Sequence, residues 1–277
     1  MANPLFNIIS FILTTVVYYM VLKPTLTIDI MSNDETYIAY ASERYTYLGV
    51  YFLLTVLIQF LVNSSLLATT CGGNLTDNIG VAGSYTFIPW ILIFGVMIVV
   101  LVLFPGFKSA FSDVVGYYYV SNEANSILTE LLMERNIQSQ IDAASDINQP
   151  ELKGKMQDAA DAVMKIFGEK SILINQMVPS NFLNYWDTLR VLMKPRFQTD
   201  SDESFELQSR LFDLVVMRDQ IGEAMWFVYT GVLLTSIVQI KLLARGCETS
   251  METMGKNYQK FKEEDKTKTL DKDKKLS

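Results

Sequence analysis

Apolar positions gather into four long runs, at 4–22, 45–70, 84–104 and 224–244. Each approaches or exceeds the roughly 20 residues that an α-helix needs to cross ~30 Å of hydrocarbon. The pattern predicts an all-α polytopic membrane protein. Three transmembrane helices with short loops occupy 1–106, and a helical extramembrane domain fills 107–223. A fourth transmembrane helix follows at 224–245, and 246–277 forms a charged tail expected to be disordered.

The first run carries no charge until Lys23 and Pro24, which end it. No basic stretch precedes it and no small-residue cleavage pattern follows, so it reads as a retained anchor helix and not a cleaved signal. In the next loop and the start of the second run, Tyr37, Tyr40, Tyr45, Tyr47 and Tyr51 form an aromatic fringe. Amphipathic rings of this kind favour the headgroup level, and an interfacial belt is the expectation. Gln59, Asn63, Ser64 and Ser65 are polar positions inside the second run. Hydrogen bonding between helices is the simpler reading of Gln59 and Asn63; a transport pathway is the sharper one. The third run, with Trp90 near one end, stops at Phe104, Pro105, Gly106 and Phe107, where a Pro-Gly break ends the helix.

Between the third and fourth runs, apolar residues recur at helical spacing. Ile127, Leu128, Leu131 and Leu132 mark a helix over 121–135, with Ser121 and Asn122 as candidate caps. Leu152, Met156, Ala159 and Val163 mark another over 150–167. Phe182, Trp186 and Leu189 mark a third over 181–193 and are candidates for domain core or a partner-contact face. The final helix is expected to start near Ser201, behind Asp200, Asp202 and Glu203, acids that complement a helix N-terminus. No proline interrupts it before Ala244. About 43 residues at 1.5 Å each would reach roughly 65 Å, one rod joining domain to membrane.

Composition narrows the chemistry. The chain has 277 residues, a formal net charge of −7 and no histidine. Without histidine the usual zinc and haem ligand sets and Ser–His or Cys–His catalysis are missing. The acidic balance argues against a nucleic-acid partner. The two cysteines, Cys71 and Cys247, form no framework. Four spans put both on one side of the membrane, so one bridge is conceivable, but two free thiols are the expectation. The sequon Asn74, Leu75, Thr76 shares that side. Lys23, Arg44, Lys108, Arg210 and Arg218 fall on the domain side against Lys241, Arg245 and Lys256 on the other, a split too even to orient the chain.

No nucleophile motif, paired acidic metal motif or Gly-rich phosphate loop occurs, so no catalytic residue, metal site or cofactor is expected. Arg218 and Glu223 read as a surface ion pair or an interface anchor on the last helix. A tetraspanin-like layout lacks that family's Cys-Cys-Gly triplet, because 105–223 holds no cysteine. A channel or carrier would be expected to show charges deep within its spans, and with four spans a pore would need a homo-oligomer.

The third run and the collar after it carry the one family resemblance. Phe104, Pro105, Gly106 and Phe107, then Phe111, Ser112, Gly116 and Tyr117, resemble a Phe-Pro-Gly-aromatic pattern. That pattern follows a transmembrane helix in inner-membrane and minor capsid proteins of nucleocytoplasmic large DNA viruses. The resemblance implies a structural protein of the virion inner membrane, passing through host endomembranes during assembly. It would anchor lipid to a capsid shell, with capsid or other membrane-adjacent proteins as partners alongside the bilayer itself. An oligomeric channel and a cellular membrane adaptor are the alternatives. The segment 107–119 either lies at the membrane interface or forms the entry to the domain.

Overall fold

The computed structural model describes residues 4–71, 79–132, 170–190 and 192–245, together with 255, 258, 259, 261 and 262. The expected helix over 150–167 and nearly all of the charged tail lie outside the described residues. Helix α1 runs Pro4–Val17 and continues through a wider π turn, Tyr18–Leu22. The short α2, Ile28–Met31, is capped by Thr27, whose hydroxyl accepts from the Ile30 N–H. Helix α3 spans Asp34–Cys71. Its N-terminus is capped by Asn33, whose Oδ1 accepts from the N–H groups of Glu35 and Thr36. It therefore begins about three turns before the apolar run; residues 34–39 are exposed, and Tyr40 is the first residue of the helix to pack into a core.

Helix α4, Ile79–Leu103, contains Pro89 and widens into a π turn over Trp90–Gly95. Proline has no N–H to give the preceding turn, and the wider turn follows that break. After the tight turn Pro105–Lys108 the chain winds through Ser109–Phe111 and Ser112–Gly116 into α5, Tyr117–Leu131. Helices α6, Lys170–Gln176, and α7, Phe182–Arg190, complete the outer part. Helix α8, Asp202–Arg245, is 44 residues long and unbroken, its start capped by the Ser201 hydroxyl. Among the described residues there is no sheet, only one bridge between Leu132 and Met193. The fold is all-α, and α1, α3, α4 and α8 are each long and apolar enough to cross a membrane.

Those four helices pack together around aromatic rings: Phe11 and Tyr18 from α1, Tyr51 from α3, Trp90 and Phe94 from α4, and Phe227 from α8. Tyr18 stacks on Tyr51 at 4.5 Å and Tyr51 on Phe227 at 5.5 Å. Gly231 of α8 makes room for this packing, since a Cβ there would sit 2.0 Å from Phe11 Cζ. The outward faces stay apolar and uncovered, as at Leu13, Leu61, Ile91 and Ile240, the surface that lipid would solvate.

A second core lies outside the bundle. Ile127, Leu128 and Leu131 of α5, Ile174 of α6, Phe182, Trp186 and Leu189 of α7, and Leu211, Phe212 and Val215 of α8 are buried in it. Phe182, Trp186 and Leu189 are thus core and not contact face. Leu26, Ile28 and Tyr40 join the same core, so the outer domain is not confined to 107–223 but also enlists the first loop. Tyr40 and Tyr51 correspondingly depart from the expected belt: one lies in the outer core, the other at the centre of the bundle. Ser121 is no cap either, since α5 has already begun at Tyr117 and its hydroxyl donates to the Tyr118 carbonyl.

Candidate functional site

The junction between the two cores holds a dense set of charge contacts, and α8 builds it. Arg218, Asp219, Gly222 and Glu223 occupy successive turns where α8 leaves the outer core for the bundle. Glu223 is 3% exposed. Its Oε1 accepts from Lys23 Nζ at 2.6 Å and from the Tyr19 hydroxyl at 3.1 Å. Its Oε2 accepts from Arg44 at 2.9 Å and lies 3.3 Å from Lys108 Nζ. Lys108 also donates to Asp219 at 2.7 Å. One carboxylate therefore ties together the end of α1, the outer turns of α3, the turn after α4, and α8. Burial pushes the Lys23 ammonium below the usual lysine range, and Glu223 pulls the other way.

Arg218 points elsewhere. It is 1% exposed and donates to the carbonyls of Ile174 at 2.6 Å and Met177 at 2.7 Å, and to Asn175 Oδ1 at 3.0 Å. A guanidinium there satisfies backbone acceptors that α6 leaves open at its C-terminus. Asp113 is its nearest carboxylate, at 3.6 Å. Arg218 and Glu223 are therefore neither a surface pair nor partners of each other. One clamps the outer domain and the other gathers the ends of the spans.

Close helix contact makes this geometry possible. A Cβ at Gly222 would lie 2.7 Å from Ser112 Cβ, and one at Gly116 would lie 2.7 Å from the Arg218 carbonyl oxygen. The segment 109–117 consequently presses against α8 as the domain's entry and does not lie free at the interface. Within the collar, Phe111 packs edge-on against Trp226 at 5.1 Å, and the Phe107 carbonyl accepts from Trp226 Nε1 at 2.9 Å. Phe104 and Phe107 remain more than half exposed, Pro105 and Gly106 are exposed, and Tyr117 is half-buried.

Beside the charges lies a cavity of about 290 Å³. Lys23, Arg44, Lys108 and Arg218 line it with Asp113 and Asp219, and Val102 and Tyr45 close its bundle side.

The polar residues within the bundle form a separate group. Asn7 Nδ2 donates to Asn63 Oδ1 at 2.7 Å, and Asn63 Nδ2 donates to Thr86 Oγ1 at 2.8 Å. Gln59 Nε2 donates to the Asn7 carbonyl at 3.3 Å and to Ser10 Oγ at 3.2 Å. Gln59 and Asn63 thus link α1, α3 and α4, and each is 1% exposed. Cys71, at the far end of α3, is held in a disulfide and is not the expected free thiol. The chain's other cysteine, Cys247, lies outside the described residues.

The span order alone places Lys23, Arg44, Lys108 and Arg218 on one side of the membrane without joining them. A usable signal existed: each span carries a charged residue at or near its domain-side end, three cations and one acid, Glu223. Among the described residues no group of His, Cys, Asp or Glu is arranged to hold a metal ion. No protein-family model, curated protein or solved structure matches the chain.

Proposed function

We propose that this protein is a structural membrane protein that holds a protein layer at a fixed distance from a bilayer. The four long helices anchor it, and the outer domain grips the layer. The collar resemblance makes that layer a capsid shell, the membrane a virion inner membrane and the protein a minor capsid component. The observation that carries this reading is α8, a single 44-residue helix buried in both cores. A helix this long reaches about 66 Å, and anchoring it at both ends makes it a strut and not a tether. The Glu223 cluster fixes the strut where it meets the other span ends. A pore has no comparable support, because the hydrogen bonds of Gln59 and Asn63 already account for them as contacts between helices.

Cross-linking mass spectrometry on native particles or membranes containing the chain tests this. Lys170 and Lys194 report on the outer domain, along with Lys153, Lys155 and Lys165 of the sequence. Links from these lysines to a shell or coat protein are expected. Links confined to copies of this chain would contradict the scaffold reading and call for conductance measurements.

A further inference from the structure

The cavity at the junction has features that the strut does not use. Four cations meet three carboxylates there: Lys23, Arg44, Lys108 and Arg218 against Asp113, Asp219 and Glu223. One positive charge is left uncompensated. Glu223, the most heavily shared acid, is not part of the cavity wall, so the wall itself presents four cations and two carboxylates. One of those cations also opens toward the cavity: the Arg44 side chain is 23% exposed, against 5% or less for Lys23, Lys108 and Arg218. A guanidinium edge suits an oxyanion with several oxygens.

The cavity's position selects among oxyanions. Lys23 directly follows the end of α1, and Val102 lies in the last turn of α4, so the cavity lies at the domain-side ends of these two helices, the level of the headgroups where the helices cross a bilayer. Val102 and Tyr45 line it, and Leu103 and Phe104, next along the chain, are exposed and apolar. Ser109, Ser112 and Asn175 supply further polar groups. A ligand with a phosphate at one end and hydrocarbon at the other fits both walls, whereas a free phosphate uses only one.

We infer that this cavity binds the phosphate headgroup of an anionic phospholipid, with Arg44 facing the phosphate and the acyl chains running down the outside of α4. This needs only that the four helices span a bilayer and stands whether or not the outer domain binds a shell.

The test uses the full-length protein in a mild detergent, with thermal unfolding and native mass spectrometry as readouts. The probes are dioctanoyl phosphatidic acid, dioctanoyl phosphatidylcholine and inorganic phosphate at matched ionic strength. The phosphatidic acid is expected to bind about tenfold more tightly than the phosphatidylcholine, the size of effect a charge-assisted hydrogen bond confers. Inorganic phosphate alone is expected to leave the midpoint unchanged. Arg44→Gln should remove the preference. Because Arg44 also braces Glu223, Ser109→Trp provides a second variant: Ser109 is exposed on the cavity wall and outside the ion cluster. It should block the site while the unliganded protein melts normally. Equal affinity for the two lipids, or undiminished binding by Ser109→Trp, would overturn the assignment. Stabilisation by inorganic phosphate as large as that by phosphatidic acid would overturn the lipid as occupant.

Discussion

Two polar clusters hold the helices of this protein together, and they are built from different chemistry. Inside the bundle, Asn7, Gln59, Asn63 and Thr86 use neutral amide and hydroxyl groups. At the junction, Glu223 gathers Lys23, Arg44 and Lys108. The difference follows depth. A neutral side chain costs little to bury in a bilayer once it has found a partner, whereas a charge at the same depth costs several kcal/mol. Charge is therefore placed at the boundary, where oppositely charged side chains pair. Neutral contacts set the register of the helices, and the charged cluster determines where the bundle ends and the domain begins.

The contrast predicts a graded series of losses. The largest comes from Glu223→Gln, which strips Lys23 and Arg44 of their carboxylate and leaves Lys108 with Asp219 alone. Breaking a buried ion cluster from one side costs roughly 3–5 kcal/mol, and thermal unfolding in detergent should show a large fall in midpoint. A midpoint close to wild type would mean that the cations do not depend on Glu223.

Next come the close helix contacts. Gly116→Ala places a Cβ against the Arg218 backbone, an overpacking that costs typically 1–3 kcal/mol. Gly49→Ala on α3 meets nothing within 4 Å and serves as the matched control, with a change near zero or slightly favourable. Equal effects from the two would contradict the tight crossing of 109–117 over α8.

A smaller loss is expected from Asn63→Leu, which removes contacts to both α1 and α4. Hydrogen bonds between membrane helices are worth about 0.6–2 kcal/mol, so the midpoint should fall modestly while assembly and localisation persist. Altered conductance of reconstituted protein would instead favour a pore. The smallest effect belongs to the exposed pair Arg210–Glu123, 3.0 Å apart with both side chains about half exposed. A double-mutant cycle there should give less than about 1 kcal/mol and should shrink further in high salt.

How much of this was legible in the chain depends on the range of the interactions. The rod of α8 could be read because its causes are local: acids in the first turn, apolar residues at helical spacing and no proline up to Ala244. Trp186 and Leu189 were legible as an apolar stripe, though not whether that stripe faced inward. The Glu223 cluster could not be read as a unit, since Glu223 and Lys23 are 200 positions apart. Only the antiparallel return of the spans brings such residues together. The fringe tyrosines misled for a related reason. An amphipathic ring near a span end suits either an interface or a core; Tyr40 is buried in the outer core and Tyr51 against Tyr18, Phe94 and Phe227, distant partners that local sequence does not reveal. Gly222 and Gly116 gave no pattern at all, because their role is to be small where two segments cross.

In the proposed scaffold α8 is one rigid strut from outer domain to membrane. The most direct measurement is the distance between spin labels at Glu206 and Lys241, both exposed, in protein carrying Cys71→Ser and Cys247→Ser and reconstituted in lipid nanodiscs. At 1.5 Å per residue the account predicts one narrow distribution centred near about 52 Å. A broad or bimodal distribution, or a centre many ångströms shorter, would show a hinge between the two cores and contradict it.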